Sequence, residues 1–136
     1  MLFKAELITY YGVYDVIETD KLNVPTSEGR RTILSNHSPI MLTLEIGVME
    51  TSKDNKLSHY AINGGVLFFK DNQAQLVLNN VINVDKIVID NVMKEIEKVN
   101  QKIKKAKNEN ELIRAQYQLE VAQNQLNAAN KYQNHK

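Results

Sequence analysis

The sequence predicts an α+β chain, with an all-β sandwich or flattened barrel over residues 1–84 and an antiparallel two-helix hairpin over residues 85–136. Three observations carry this. Every glycine (12, 29, 47, 64 and 65) and both prolines (25 and 39) precede residue 66. Short β-branched and aromatic runs fill that part, as strands between turns do. Beyond about Asn79 to Asp85 the apolar residues recur in steps of three and four, the period of one helix face.

The predicted strands are LFKAELITYY, YDVIETDKLNV, RRTIL, IMLTL, VMET, LSHYAI, VLFFK and AQLVLNNV. Bends are expected at Gly12, Glu28-Gly29, Gly47, Lys53-Asp54-Asn55-Lys56 and Asp71-Asn72-Gln73, because Gly, Asn and Asp tolerate the positive φ of tight turns. Gly64-Gly65 falls inside a strand pattern and predicts a bulge or a close backbone approach. In Asn36-His37-Ser38-Pro39 the asparagine can hydrogen-bond its own backbone and the proline ends strand pairing, so a bend is expected there.

In the first helix Ile89, Val92, Ile96, Val99, Ile103 and Ala106 share one stripe, and in the second Leu112, Ala115, Leu119, Ala122, Leu126 and Ala129 do. Alanine at alternate seam positions allows the two backbones to approach closely. Asn108 is placed to cap the second helix, with Glu111 completing a capping box. Asp85 and Asp90 read as helix-start residues, acidic where the dipole favours negative charge.

Composition excludes several functions. A 43% apolar share suffices for a real core, and the absence of cysteine excludes disulfides and thiolate-bound zinc. Residues 1–82 carry 7 basic and 9 acidic side chains, while residues 83–136 carry 10 and 7. Most cations lie among carboxylates, so no nucleic-acid partner is expected. The opening MLFKAELITYYGVYD, charged at Lys4 and Glu6, predicts neither a signal peptide nor a membrane span, so no direct membrane insertion is expected. His37, His59 and His135 lack ligand-like spacing with acids, and no nucleophile elbow, phosphate loop or zinc motif occurs. The expectation is a non-catalytic chain with no metal and no cofactor. Asn36-His37-Ser38 matches a glycosylation sequon, but the following proline and the lack of a secretory signal make the match accidental.

Several motifs in one order then carry a resemblance: Pro25-Thr26-Ser27-Glu28-Gly29, Ile33-Leu34, Asn36-His37-Ser38-Pro39-Ile40, Gly47-Val48 and Asn63-Gly64-Gly65-Val66. With the two-domain plan, they make the chain similar to the epsilon subunit of F-type ATP synthases. The resemblance implies a rotor subunit of the central stalk, held peripherally at the cytoplasmic face of a bacterial-type membrane. It would attach to the gamma subunit and couple the catalytic hexamer to the membrane rotor ring. It also implies that one end of the sandwich meets these partners, with Glu28, Arg30, Arg31, Asn36, His37 and Ser38 as candidate contacts; His37 is either such a contact or a hydrogen-bonding residue of the bend.

The chain departs from the family at two places. The family commonly has Glu where this chain has Arg30, followed here by Arg31. Arg30 either points to solvent, meets a ring with acidic loops, or marks a rotary ATPase that drives something other than a proton ring. Relatives that bind ATP in the hairpin resemble Ile/Leu-Asp-x-x-Arg-Ala, where this chain reads Ile89-Asp90-Asn91-Val92-Met93-Lys94 and methionine offers no donor, so no ATP binding is expected. In some relatives the basic second helix contacts the catalytic alpha and beta subunits and inhibits. Here Arg114, Lys131 and Lys136 are its only cations, and the larger run of Lys94, Lys98, Lys102, Lys104, Lys105 and Lys107 is on the first helix. The hairpin is therefore expected to be mainly structural. The reading from another functional class is a free regulatory or adaptor module.

Overall fold

A buried threonine hydroxyl organises the first turn between sheet layers in the computed structural model, which describes residues 1–133. Thr19 is fully buried, and its Oγ accepts from the N–H groups of Lys21 at 3.2 Å and Ser52 at 3.1 Å. That hydroxyl breaks the run YDVIETDKLNV into two strands at Asp20, where one was expected. The unit ending at Asn83 thus contains β1 (Phe3–Thr9), β2 (Gly12–Thr19), β3 (Lys21–Thr26), β4 (Gly29–Leu34), β5 (Ile40–Lys53), β6 (Lys56–Lys70), β7 (Gln73–Leu78) and β8 (Val81–Asn83).

These strands form one sheet in the order β2-β1-β7-β6-β5-β3-β4, with β8 also on β6. The β1–β7 pairing is parallel and the others are antiparallel. The long strands β5 and β6 fold this sheet into two layers. Their segments Ile40–Leu44 and Gly65–Phe69 continue into β7, β1 and β2, while their other halves carry β3, β4 and β8. Leu7, Leu67, Phe69 and Leu76 from one layer share a single core with Leu22, Val24, Ile33, Met49 and Ile62 from the other. Burying such side chains stabilises by about 2 kcal/mol each.

Gly47 differs from the bend expected of it, whereas Gly64-Gly65 makes the close backbone approach that was expected inside a strand. Gly47 lies inside β5, and a Cβ there would stand 2.9 Å from the Pro25 ring, so the strand tolerates no side chain under that proline. Asn63-Gly64-Gly65 lies inside β6, opposite the Asn79-Asn80 break between β7 and β8. There Asn79 N–H donates to the Gly64 carbonyl at 3.0 Å and Asn63 N–H to the Asn80 carbonyl at 3.2 Å. The chain changes layer there without losing backbone hydrogen bonds.

The second unit begins at Val84 with a short 3₁₀ turn holding Asp85, followed by α1 (Ile89–Lys104) and α2 (Glu109–Tyr132). Asp90 sits in the first turn of α1. All twelve seam positions are buried or half-buried; Val99 and Ala129 are fully enclosed. The Asn108 side chain accepts from Glu111 N–H at 2.9 Å, and the Glu111 carboxylate accepts from Lys107 N–H, one residue earlier than the usual capping box. At the open end of the hairpin, the Gln133 amide donates to the carbonyls of Ile87 at 2.7 Å and Val84 at 3.3 Å. No described helix is long and apolar enough to cross a membrane. His135 and Lys136 lie outside the described residues.

Candidate interaction surfaces

Asn36, His37 and Ser38 follow β4, whereas Glu28 precedes it and Arg30 and Arg31 lie at its start. A six-residue strand separates the two groups by roughly 17 Å. The six candidate contacts therefore do not form one patch. Adjacent strand residues also point to opposite faces, which divides Arg30 from Arg31.

The bend is held from across the chain. Asn36 adopts φ 65°, and its N–H donates 2.6 Å to the side-chain carbonyl of Asn72, which also takes the Ser35 hydroxyl at 3.3 Å. Asn72 can reach because Asp71 and Asn72 themselves form the β6–β7 turn with φ of 52° and 57°. The Asn36 amide is turned to Met1 Sδ, 3.4 Å away, where a bond to its own backbone was expected. His37 is half-buried; its Nδ1 lies 2.7 Å from the Ser38 carbonyl and its ring meets core residue Phe69 edge to face at 6.1 Å. Ser38 and Pro39 are exposed.

Arg30 is an exposed side chain with a fixed position. Its Nε donates to the Asn23 side-chain oxygen, and its terminal nitrogen donates to the carbonyls of Val48 at 2.6 Å and Asn23 at 3.2 Å. The Asn23 amide in turn donates to Thr32 at 2.8 Å. One guanidinium thus ties β4 to β3 and β5, using the fork of donors that a lysine lacks. Arg31 pairs with Val24 in the β3–β4 ladder, and its exposed side chain makes no hydrogen bond or ion pair among the described residues.

Sequence reasoning missed a polar cluster across β3, β5 and β6. Glu50 lies 3.0 Å from His59 Nε2 and 3.4 Å from Lys21 Nζ. The strand register alone brings these residues together, with Glu50 paired to His59. Burial opposes the Glu50 charge, but the hydrogen bonds from His59 and Lys21 and the charge of Lys21 outweigh it and hold its pKa below the ordinary 4.5. A carboxylate with a depressed folded pKa stabilises fully above the unfolded value and ceases to do so as pH falls through the folded one. Urea unfolding of Glu50→Gln is accordingly expected to lose about 1 kcal/mol less than wild type between about pH 6 and about pH 3. Equal losses in the two proteins would show that the cluster contributes nothing. Among the described residues no three His, Asp or Glu side chains are placed to hold a metal ion.

In the hairpin, a groove of about 500 Å³ is lined by Lys98, Lys102, Lys105 and Arg114, with Glu111 as its acid. Met93, where the ATP-binding relatives carry arginine, is exposed on an earlier turn of α1.

Comparison with known proteins gives one family. Residues 2–84 match the model of the ATP synthase delta/epsilon chain beta-sandwich domain. Over 79 residues the chain is 39% identical to the ATP synthase epsilon chain of Leptospira borgpetersenii, a match that spans 58% of each protein. The epsilon chain of Pediococcus pentosaceus is 32% identical over 120 residues, 86% of each chain. A chain in the cryo-EM structure of the Euglena gracilis mitochondrial ATP synthase, determined with OSCP, F1 and c-ring, shares the fold with a TM-score of 0.74 at 20% identity, covering 92% of this chain and 79% of that one.

Proposed function

This chain belongs to the ATP synthase delta/epsilon family, and from that premise we propose that it is the epsilon subunit of a rotary ATPase, a non-catalytic part of the central stalk. The observation that carries the proposal is the match to the Pediococcus epsilon chain over 86% of both proteins, sheet unit and hairpin together. In this role the chain attaches to the gamma subunit, meets the membrane rotor ring, and remains peripheral on the cytoplasmic side of a bacterial membrane. Its work is mechanical: torque between the catalytic hexamer and the ring passes through a body that must not shear. The two long strands shared by both layers and the guanidinium bridging three strands favour such stiffness.

A conventional ring is favoured over a substitute device. The sign reversal at Arg30 motivated an unusual partner, but its bonds to Asn23 and Val48 supply a reason for arginine within the chain itself. Arg31 is the cation left facing outward.

Tagging the chain in its own cells and purifying it gently tests the proposal. It is expected to emerge in a fixed ratio with a large complex that hydrolyses ATP. A 15.6 kDa species sedimenting alone at every stage would instead favour the free adaptor module and overturn the stalk role.

A further inference from the structure

One flank of the hairpin gathers cations that no carboxylate of the chain neutralises. The groove of about 500 Å³ between the helices is lined by Lys98 and Lys102 of α1, by Lys105 at its C-cap, and by Arg114 of α2. All four are exposed, and none enters an ion pair among the described residues. The acid of the lining, Glu111, is engaged at the start of α2, where its carboxylate accepts from Lys107 N–H at 2.9 Å. Lys102 Nζ reaches the Gln118 side-chain oxygen only at 3.5 Å, the outer limit of a hydrogen bond.

Helix electrostatics does not account for this grouping. Lysines near the C-terminal end of α1 complement its dipole, which explains Lys102 and Lys105. Lys98 lies further back in α1, and Arg114 stands in the second turn of α2, towards the end whose partial charge is positive. Lys98 and Lys102 are four apart, and Lys102 and Lys105 three apart, so they are neighbours on one helix face, where like charges destabilise. A bound anion removes that repulsion.

The lining also selects the kind of anion. It holds no aromatic ring, and Ala115 is its one apolar residue, so neither a nucleobase nor the apolar side chains of a peptide would find a wall there. Ala115 is small and buried, which leaves the floor of the groove open. Lys98 and Lys105 are about 10 Å apart along the helix axis, with Lys102 between them and Arg114 across the groove.

We infer that this groove binds a short linear inorganic polyphosphate, about four phosphoryl groups long, laid along the α1 lysines and gripped from α2 by Arg114. Each lysine serves as a point charge, while the guanidinium fork takes two oxygens at once. An anion held by both helices binds the hairpin only while they are packed, so it braces α1 against α2 by mass action. The site belongs to the hairpin alone and holds whichever complex the chain joins. It is separate from the start of α1, since Met93 does not line the groove.

Isothermal titration of the full-length chain with tetrapolyphosphate tests this, at about 0.15 M salt, where exposed charges more than about 8 Å apart are screened from one another. One-to-one binding is expected. Lys102→Gln and Arg114→Gln are each expected to weaken it by about tenfold or more, and Lys104→Gln, at an exposed α1 lysine off the groove, by less than about twofold. The three variants each lose one positive charge at an exposed position, so net charge is matched. Saturating tetrapolyphosphate is also expected to slow hydrogen exchange of α1 and α2 amides by about tenfold or more and to leave β5 and β6 unchanged. Absence of saturable binding by both readouts overturns the proposal, and so does unchanged exchange at saturation, which would mean that the anion does not join the helices. Equal weakening by Lys104→Gln would reveal only diffuse attraction to the lysines of α1, and it overturns the site. Adenosine triphosphate binding more tightly than tetrapolyphosphate would make the groove a nucleotide site, and pentaglutamate doing so would make it a peptide site; either result overturns the inference while the stalk role stands.

Discussion

Gly65→Ala is expected to lower the unfolding free energy of the sheet unit by about 4 kcal/mol, a large part of the stability of a small domain. Two costs combine. Gly65 has φ of 147°, a conformation that L side chains rarely adopt. A Cβ there would stand 2.2 Å from the Val77 carbonyl oxygen, 2.8 Å from Leu78 Cα and 3.1 Å from the Val77 carbonyl carbon. All three are backbone atoms of the paired strand β7, so no side-chain rotation relieves the collision. Either β7 moves away from β6 or the layer change is lost. Gly29→Ala is the control, because Gly29 has φ of 104° but nothing within 4 Å of an added Cβ. That substitution is expected to cost only the strain, about 1 kcal/mol. Urea unfolding followed by far-UV circular dichroism measures both, and equal costs would refute the close approach.

The same glycines mark where sequence reasoning reached its limit. Gly64-Gly65 reads as a close backbone approach, yet LSHYAI and VLFFK on either side read as separate strands, whereas β6 runs through both. The difference lies in Asn79 and Asn80, about sixteen residues away, whose backbone pairs with the same site. IMLTL and VMET merge into β5 for a related reason: Gly47 is small to admit Pro25 from β3. The bend at Asn36 was legible, since Asn and Pro act locally there. The residue that holds it, Asn72, was not. Nor were the bonds of Arg30 or the pairing of Glu50 with His59, because each depends on strand register. The helical stripes were plain because their period is local: a helix places residues three and four apart on one face whatever else the chain does. The family resemblance was legible from motifs spread along the chain, and it named the stalk role, but motifs alone brought together candidate contacts that β4 holds apart.

The hairpin should respond to substitution independently of the sheet, and Ala122→Leu is the change expected to show this most strongly. Ala122 is 3% exposed, midway along the second stripe, with Ala115 and Ala129 two seam positions to either side, both buried. Small residues at these positions permit close approach to α1, whose Val92 and Val99 are buried. Three extra carbons in so tight a seam cost about 3 kcal/mol, through strained rotamers or separation of the helices. Between the helices Lys102 Nζ also donates to the Gln118 side-chain oxygen at 3.5 Å, an exposed bond that adds little. The Asn108 cap and the Gln133 bonds act at the two ends, not along the seam. Hydrogen exchange of the isolated chain is the measurement, because it reports each element separately. Protection of α1 and α2 amides is expected to fall by about a hundredfold, with β5 and β6 amides within about threefold of wild type. Ile113→Leu, on the exposed side of α2, should leave both sets unchanged. If the hairpin is structural, as its few cations on α2 imply, ATP hydrolysis by the assembled complex carrying Ala122→Leu is expected to stay within about twofold of wild type. A severalfold rise on loosening the hairpin would mean that the closed helices had been restraining the enzyme, and it would overturn the structural reading. Unchanged exchange in α1 and α2 would mean that the seam is not as tight as the burial of its alanines requires.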